Sequence, residues 1–294
     1  MMNPLAETYA PAPSDEQLVA RALAGQRGAL EELLRRHQRW LYNIALRMLQ
    51  SAEDAEDATQ ECLMKIVTRL ATFRGESAFR TWAYRVAFRH VLDRRRSRPE
   101  QTVSGFGCYA AYLAGAPDEE PPDLDAMPAD ERLVVEEARL SCMLGMLLCL
   151  DREQRLVFVL GELFEVSDTV AAEVLELSPD NFRQRLARAR RQLADFMRGH
   201  CGLTDARNPC RCARKTRAFI RDGIVDPERL LFARAHVTRM QEVSAQGRAA
   251  FQTTIDAANA ALWRDHPFVE APDLVRRLRT VLEGPNLTAL MNLS

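Results

Sequence analysis

No stretch of the 294 residues approaches the roughly 20 consecutive apolar residues that a bilayer-spanning helix needs. Met1 to Ser14 also lacks a basic segment followed by an apolar one. These two absences predict a cytoplasmic chain with neither membrane span nor secretory leader. Strand-like alternation and any repeat of fixed length are missing too, so the expected fold class is all-α. There is no phosphate-cradling glycine loop, and no Glu placed by a recognisable motif as general base near a metal. The chain is therefore expected not to be an enzyme. Overall charge is nearly absent as well, at -1, so any polar partner must be met by local patches rather than by the total.

What is present is ordinary globular composition, with 47% hydrophobic and 28% charged residues, enough to fold without staples. The length suits two modest domains plus an extension. Seven cysteines is an odd number, and Cys62, Cys108, Cys142 and Cys149 are scattered singly, as reduced packing residues are. Charge is strongly segregated: arginine concentrates in 80–98 and 183–198, acids in 53–61 and 118–131.

Apolar spacing near 3.6 runs through 15–98, interrupted at Gly25 and at Arg74-Gly75-Glu76-Ser77, which predicts a first helical domain. Residues 99–130 hold Gly105, Gly107, Gly115, four prolines from Pro117 to Pro128 and an acidic run, and are read as a flexible linker. Helical patterning resumes over 131–198, broken near Glu165-Val166-Ser167 and at Leu177-Ser178-Pro179. There Ser178 should cap the last helix and Pro179 occupy its first position. Residues 199–294 form a cysteine-containing segment and a helical extension.

In the helix expected at 52–70, Ala55, Ala58, Cys62 and Ile66 make a buried stripe, while Asp54, Asp57, Glu61 and Lys65 lie on another face. Taken alone, that acidic face reads as a solvated surface. Next comes a run in which aromatics alternate with cations, from Phe73-Arg74-Gly75-Glu76-Ser77-Ala78-Phe79-Arg80-Thr81-Trp82-Ala83-Tyr84-Arg85 to Arg89-His90 and Asp93-Arg94-Arg95-Arg96. Arg85, Arg89 and Arg96 can share a face and neutralise phosphates, and Trp82, Tyr84 or Phe79 could stack on an unpaired base. The plainer reading puts Phe79, Trp82, Ala83 and Val86 in the core, Phe79 first among them. Further on, Phe182, Leu186, Ala189, Leu193 and Phe196 define one inward stripe, and Asn181, Gln184, Arg185 and Arg188 point elsewhere. With a short helix around Asp168 to Leu175 and a tight Glu176-Leu177-Ser178 turn, this is a helix-turn-helix pattern. Its early residues would face base edges, and Arg190, Arg191 and Arg198 would meet phosphates.

Three segments, Asp54-Ala55-Glu56-Asp57-Ala58-Thr59-Gln60-Glu61, Phe79-Arg80-Thr81-Trp82-Ala83-Tyr84-Arg85 and Leu186-Ala187-Arg188-Ala189-Arg190-Arg191-Gln192-Leu193, resemble regions 2 and 4 of extracytoplasmic-function (group 4) RNA polymerase sigma factors, in order and spacing. The resemblance implies that Asp54, Asp57, Gln60, Glu61 and Lys65 bind core RNA polymerase at the β′ coiled coil, with the β flap as a second contact. It implies that Phe79, Arg80, Thr81, Trp82, Tyr84, Arg85, Arg89 and His90 open and read the promoter −10 element. Asn181, Arg183, Gln184, Arg185, Arg188 and Arg190 would read the −35 element. The linker would thread toward the polymerase active-site channel, and an anti-sigma factor is a possible partner. Two departures bear on promoter sequence: His90 stands where the family usually has Asn, and Ser167-Asp168-Thr169-Val170 replaces a Ser-Tyr-Glu-Glu-Ile-like start.

Sigma factors of the minimal class stop soon after region 4, so 199–294 suggests regulation within the chain, holding region 2 or region 4 closed or binding a signal. Residues 226–282 read as three amphipathic helices, the first opened by Asp226-Pro227, another carrying Phe251, Ile255, Ala258 and Leu262, and the last marked by Leu274, Val275, Leu278 and Leu282. His200, Cys201, Cys210 and Cys212 offer donors that zinc or another soft metal accepts, with His236 as a further candidate, yet their spacing matches no standard zinc finger. A structural turn with occasional disulfide formation, or inert thiols, are the competing readings; no cofactor is required. A stand-alone helix-turn-helix regulator is the alternative to the sigma reading, but it leaves the acidic and aromatic-basic helices without a role. A metalloenzyme at the cysteine cluster lacks a general base.

Overall fold

The computed structural model describes residues 3–119, 129–233, 263–264, 266–278, 282, 284 and 291. Every regular element among them is helical, and one isolated bridge pairs Cys201 with Cys210. The all-α expectation holds.

The first unit is built on α1 (Asp15–Leu23), α2 (Arg27–Leu49), α3 (Ala52–Arg69) and α4 (Phe79–Asp93). Ser14 and Gln17 form a capping box at the start of α1, and the Ser51 hydroxyl accepts the Asp54 N–H at the start of α3. α4 lacks a capping side chain of its own; its first N–H, from Phe79, donates instead to the Glu16 carboxylate of α1 at 3.0 Å. The predicted stripe of Ala55, Ala58, Cys62 and Ile66 is buried, joined by Thr59, Leu63 and Val67. From Trp40 to Leu49 every residue of α2 is buried, so this helix is covered on all sides rather than on one face.

Residues 99–115, expected to be irregular, fall largely in two short helices, α5 (Arg98–Thr102) and α6 (Phe106–Gly115). A Ser97/Glu100 capping box starts α5. In α6, Tyr109 and Leu113 are buried, and Phe106 and Tyr109 pack against Phe196 with ring centroids 5.3 and 6.0 Å apart. The stretch is too short for a clear period, and its order comes from tertiary packing. Gly145 makes this packing possible: a Cβ there would stand 2.4 Å from the Tyr109 hydroxyl. The acidic and proline-rich residues 120–128 lie outside the described residues.

The second unit comprises α7 (Ala129–Leu147), α8 (Arg152–Phe158) continuing into a π turn (Val159–Leu163), α9 (Asp168–Leu175) and α10 (Pro179–His200). Glu176 closes α9 in the left-handed conformation, at φ 57°, and Ser178 caps α10 through the Asn181 N–H with Pro179 in the first turn. The helix-turn-helix therefore stands where the sequence placed it. Phe182, Leu186, Ala189, Leu193 and Phe196 all face inward.

In the extension, α11 (Cys212–Arg221) packs on α7. Asp226-Pro227 opens a turn rather than a helix, and the chain then runs to Ala233 with the N–H groups of Leu231, Phe232 and Ala233 on the buried Glu137 carboxylate. The expected helix with Phe251, Ile255, Ala258 and Leu262, and His236, lie outside the described residues. α12 (Leu274–Arg277) packs on α2 and α3, and Leu274, Val275, Leu278 and Leu282 are buried.

The two units touch. α4 lies against α9, and Glu100 of α5 is buried between Arg152 (2.6 Å) and Arg155 (2.8 Å) of α8. Burial alone would raise the Glu100 carboxyl, but hydrogen bonds from Arg152, from the Ser97 N–H and from Arg155 outweigh it and hold it at about 2. A depressed carboxylate contributes stability above its unfolded value, near 4.5, and loses it as pH falls toward 2. Replacing Glu100 by Ala should lower unfolding stability by about 3–5 kcal/mol at neutral pH, because the buried Arg155 and the partly buried Arg152 lose their counter-charge. Urea denaturation followed from pH 7 to pH 2 should show the gap between wild type and variant narrowing below about pH 4.5; a pH-independent gap would contradict this account.

Candidate functional site

α3 presents its acidic row beside the end of α4. Arg94 reaches Glu61 at 2.6 Å, Asp57 at 3.9 Å and Asp54 at 4.0 Å, and His90 reaches Glu61 at 2.6 Å. Burial would raise the Glu61 carboxyl, but the His90 and Arg94 contacts bring it below the usual range. Asp57, Gln60, Glu61, Met64, Lys65, Thr68 and His90 line an open groove of about 670 Å³. The structure thus gathers the residues singled out on α3, Asp54, Asp57, Gln60, Glu61 and Lys65, on one accessible face, and sets His90 of α4 at its rim.

The aromatic-basic helix α4 divides. Phe79, Thr81 and Tyr84 are buried, so Phe79 and Tyr84 offer no face for a stacking base in this conformation; both rings sit edge-on to His37 at 5.6 Å, inside the first unit. That corrects the stacking expectation for these two and agrees with the core reading of Phe79. The cause is the helical period, which turns positions 79, 83, 84, 87 and 88 inward together. Trp82 remains partly exposed and packs on Phe73 and Phe79 at 5.7 Å. Arg80 turns back over Tyr9 and donates to the Ala6 carbonyl. Arg85 lies 3.5 Å from the Glu176 carboxylate and donates to the Glu173 carbonyl at 3.1 Å, and Arg89 pairs with Glu176. Glu173 and Glu176 belong to the helix-turn-helix; nothing in the sequence marked them as partners of α4.

On α10, Gln184 and Arg188 are exposed and make no ion pair or hydrogen bond among the described residues. Arg183 is held by Asp168 and Asp180, Arg185 by Asn181 (2.9 Å) and Glu153 (2.7 Å), and Arg190 by Glu162. The exposed face of the helix thus carries two unengaged polar side chains flanked by arginines already anchored within their own unit.

The described part of the tail lies across both units. Asn43 of α2 pairs with the Val269 backbone in both directions, accepting at 2.9 Å and donating at 2.8 Å. Arg47, fully buried, donates to the Pro267 carbonyl at 2.6 Å and lies over the rings of Phe164 (5.1 Å) and Phe268 (5.3 Å). Burial lowers its guanidinium to about 9. Trp40 meets Phe268 at 4.6 Å, Trp263 meets Phe158 of α8 at 5.1 Å, Arg264 reaches Glu162 at 3.2 Å, and Arg277 reaches Glu56 of α3 at 2.6 Å. Sequence reasoning missed Trp40, Asn43 and Arg47; a polar pair inside an apolar helix run, Asn43 and Arg47 one turn apart, was the available signal.

The proposed metal donors do not assemble. No three of the described His, Cys, Asp and Glu residues form a group that could hold a metal ion. The His200 ring is stacked on Phe196 at 4.5 Å with Nδ1 on the Phe196 carbonyl. Cys201 and Cys210 pair across the isolated bridge, Cys212 opens α11, and all of these thiols are reduced. Cys142 of α7 lies close enough that burial, and then the charges of Cys212, Cys210 and Cys201, push its thiol well up.

Comparison with known proteins fits this arrangement. Residues 33–99 match the family model of Sigma-70 region 2, and residues 140–193 that of Sigma-70, region 4. The ECF RNA polymerase sigma factor SigM of Mycobacterium tuberculosis is 30% identical over 187 residues, which are 63% of this chain and 85% of that protein. The RNA polymerase sigma-H factor of Pseudomonas aeruginosa is 28% identical over 60% of this chain and 90% of its own length. For the ECF RNA polymerase sigma-E factor of Escherichia coli the figures are 27%, 60% and 91%. Two matched regions in the expected order, each on its own helical unit, and a relative covered over most of its length settle the family: this chain belongs to the extracytoplasmic-function RNA polymerase sigma factors, which direct polymerase to promoters.

Proposed function

We propose that the groove on α3 lined by Asp57, Gln60, Glu61 and Lys65, with Asp54 one turn before it, is the surface that docks on the β′ coiled coil of core polymerase, with 131–198 meeting the β flap. Exposure of this acidic row supports the reading. α4 takes the −10 element through Trp82, Arg85, Arg89 and His90, whereas Phe79, Thr81 and Tyr84 shape the helix from beneath. α10 takes the −35 element, with Gln184 and Arg188 reading bases and Arg183, Arg185 and Arg190 available to phosphates once released from their carboxylates. The chain binds and does no chemistry of its own; polymerase makes the phosphodiester bonds. No metal is required for this role, and a separate anti-sigma partner is compatible with it.

The observation that carries the rest of the proposal is the placement of Glu176 on Arg85 and Arg89 while the tail spans both units. In this arrangement the −10 arginines are neutralised by the −35 module itself. The tail, fixed to α2 by Asn43 and Arg47 and to α8 by Phe158 and Glu162, holds the pair closed in the manner of an attached anti-sigma segment. The domain limits follow: 15–98 and 131–198 are the working modules, 99–130 connects them, and 199–294 regulates them.

Run-off transcription with purified core polymerase and a pool of promoter fragments from the source organism tests both layers. Promoter-specific starts should appear only with the chain present, and Gln184→Ala or Arg188→Ala should lower them on the order of tenfold, as loss of one good base contact does. The full chain with Trp263→Ala and Phe268→Ala should raise transcript yield when core is limiting, about tenfold for each 1.4 kcal/mol removed from the closed state. Starts without any response to the tail variant would retain the sigma role and reject the clamp.

A further inference from the structure

The segment between α10 and α11 has no part in promoter reading, yet it is built around two thiols. The isolated parallel bridge sets Cys201 opposite Cys210. Bridged residues stand about 4.7–4.9 Å apart at Cα with side chains on the same side, inside the roughly 4.4–6.8 Å that a disulfide spans. The eight-residue loop joining them is fixed from within. The Cys201 carbonyl accepts from the Thr204 hydroxyl (3.0 Å) and the Asn208 amide (3.1 Å), and Arg211 donates to the carbonyls of Ala206 (2.8 Å) and Cys210 (2.9 Å). The close approach needs glycine beside Cys201. A Cβ on Gly202 would lie 1.9 Å from the Arg211 guanidinium and 2.3 Å from the Cys210 carbonyl. The guanidinium is thereby packed against the residue that follows Cys201, and both thiols are part-exposed. A small peroxide can therefore reach the pair, while burial, and then the charge of Cys201, push the Cys210 thiol up.

We infer that Cys201 and Cys210 are a reversible two-electron redox site, oxidised to a disulfide by a hydroperoxide. The Cys201 sulfur attacks the peroxide, an S–O bond forms and the O–O bond breaks, leaving a sulfenic acid and, from hydrogen peroxide, one water. The Cys210 sulfur then displaces that oxygen as a second water and the S–S bond closes. Two thiol protons leave in the two waters, the sulfurs lose two electrons and the peroxide oxygens gain them. Cys212 and Cys142, further into the α7–α11 contact, stay reduced: burial pushes the Cys212 thiol up to about 12. The disulfide fastens the residue that caps the end of α10 to a residue two positions before α11, so oxidation fixes the point at which the extension leaves α10. This inference is independent of the assignments on α3, α4 and α10.

Hydrogen peroxide titration of the full reduced chain, read by thiol counting and peptide mass mapping, tests it. Two of the seven thiols should disappear, with Cys201 and Cys210 in one cross-linked peptide, and dithiothreitol should restore both. The cross-link should vanish in Cys201→Ser and in Cys210→Ser and persist in Cys212→Ser. Retention of all seven thiols under excess peroxide, a cross-link through Cys212 or Cys142, or a purified chain whose thiols are protected by stoichiometric zinc would each overturn it.

Discussion

The way the two helical units meet depends on two arginines of α8 and one buried carboxylate. Glu100, 5% exposed, binds both Arg152 and Arg155. The remaining N–H groups of those arginines go to carbonyls at helix ends: Arg152 to Leu92 (2.9 Å) and Arg94 beside α4, Arg155 to Met48 near the end of α2 and to Leu147 (3.0 Å) at the end of α7. The last turns of a helix leave carbonyls without intrahelical partners and carry partial negative charge. Here three helices point that end at the same two guanidinium groups. One carboxylate leaves the cluster with excess positive charge, and the converging carbonyls offset it. The arrangement also explains why the linker is ordered at 98–102: Glu100 is both the capping-box acid of α5 and the counter-ion of α8, so the short helix and the contact between units form together.

With that junction fixed, α4 and α9 are brought face to face, and the charges of the two modules find one another instead of a ligand. Arg85 and Arg89 lie on Glu176, and on the other side of the second unit Glu162 holds both Arg190 of α10 and Arg264 of the tail. For the α4 arginines to meet phosphates, Glu176 must give way. Exposed pairs of this kind are worth roughly 0–1 kcal/mol each, so they can be exchanged for DNA phosphates without a large barrier in equilibrium terms. The apolar and buried contacts of the tail are the stronger part of the closed arrangement.

Most of the fold was legible because it rests on local signals. Ser178-Pro179 placed the start of α10, the 3.6-residue stripe from Phe182 to Phe196 gave its inner face, and Ala55 to Ile66 gave that of α3. Burial within α4 was only half legible, since aromatic and arginine residues alternate there and either could face a ligand; packing around His37 decided for Phe79 and Tyr84. What the sequence did not disclose is long-range pairing. The partner of Glu176 stands more than eighty positions away, and that of Asn43 more than two hundred, and no periodicity encodes such distances. For the cysteine segment, donor types were legible but their geometry was not. His200 follows the α10 helical turn onto Phe196, and only the bridge reveals that Cys201 and Cys210 belong together.

Arg47 sets two opposing terms into the contact between the tail and α2. A buried guanidinium is ordinarily matched by a carboxylate, because an uncompensated cation in a low-dielectric interior is costly. Among the described residues Arg47 has no carboxylate partner: its terminal nitrogens meet Asn43 on its own helix, the Pro267 carbonyl and His266, its guanidinium lies over the faces of Phe164 and Phe268, and its buried Nε finds no hydrogen-bond partner. Several of these groups belong to the tail. Docking therefore buries Phe268 and Trp263 at the expense of Arg47 hydration, and release returns the cation to water while exposing the rings. The two terms oppose each other. Were Arg47 an apolar residue, the same rings would seal the tail more tightly.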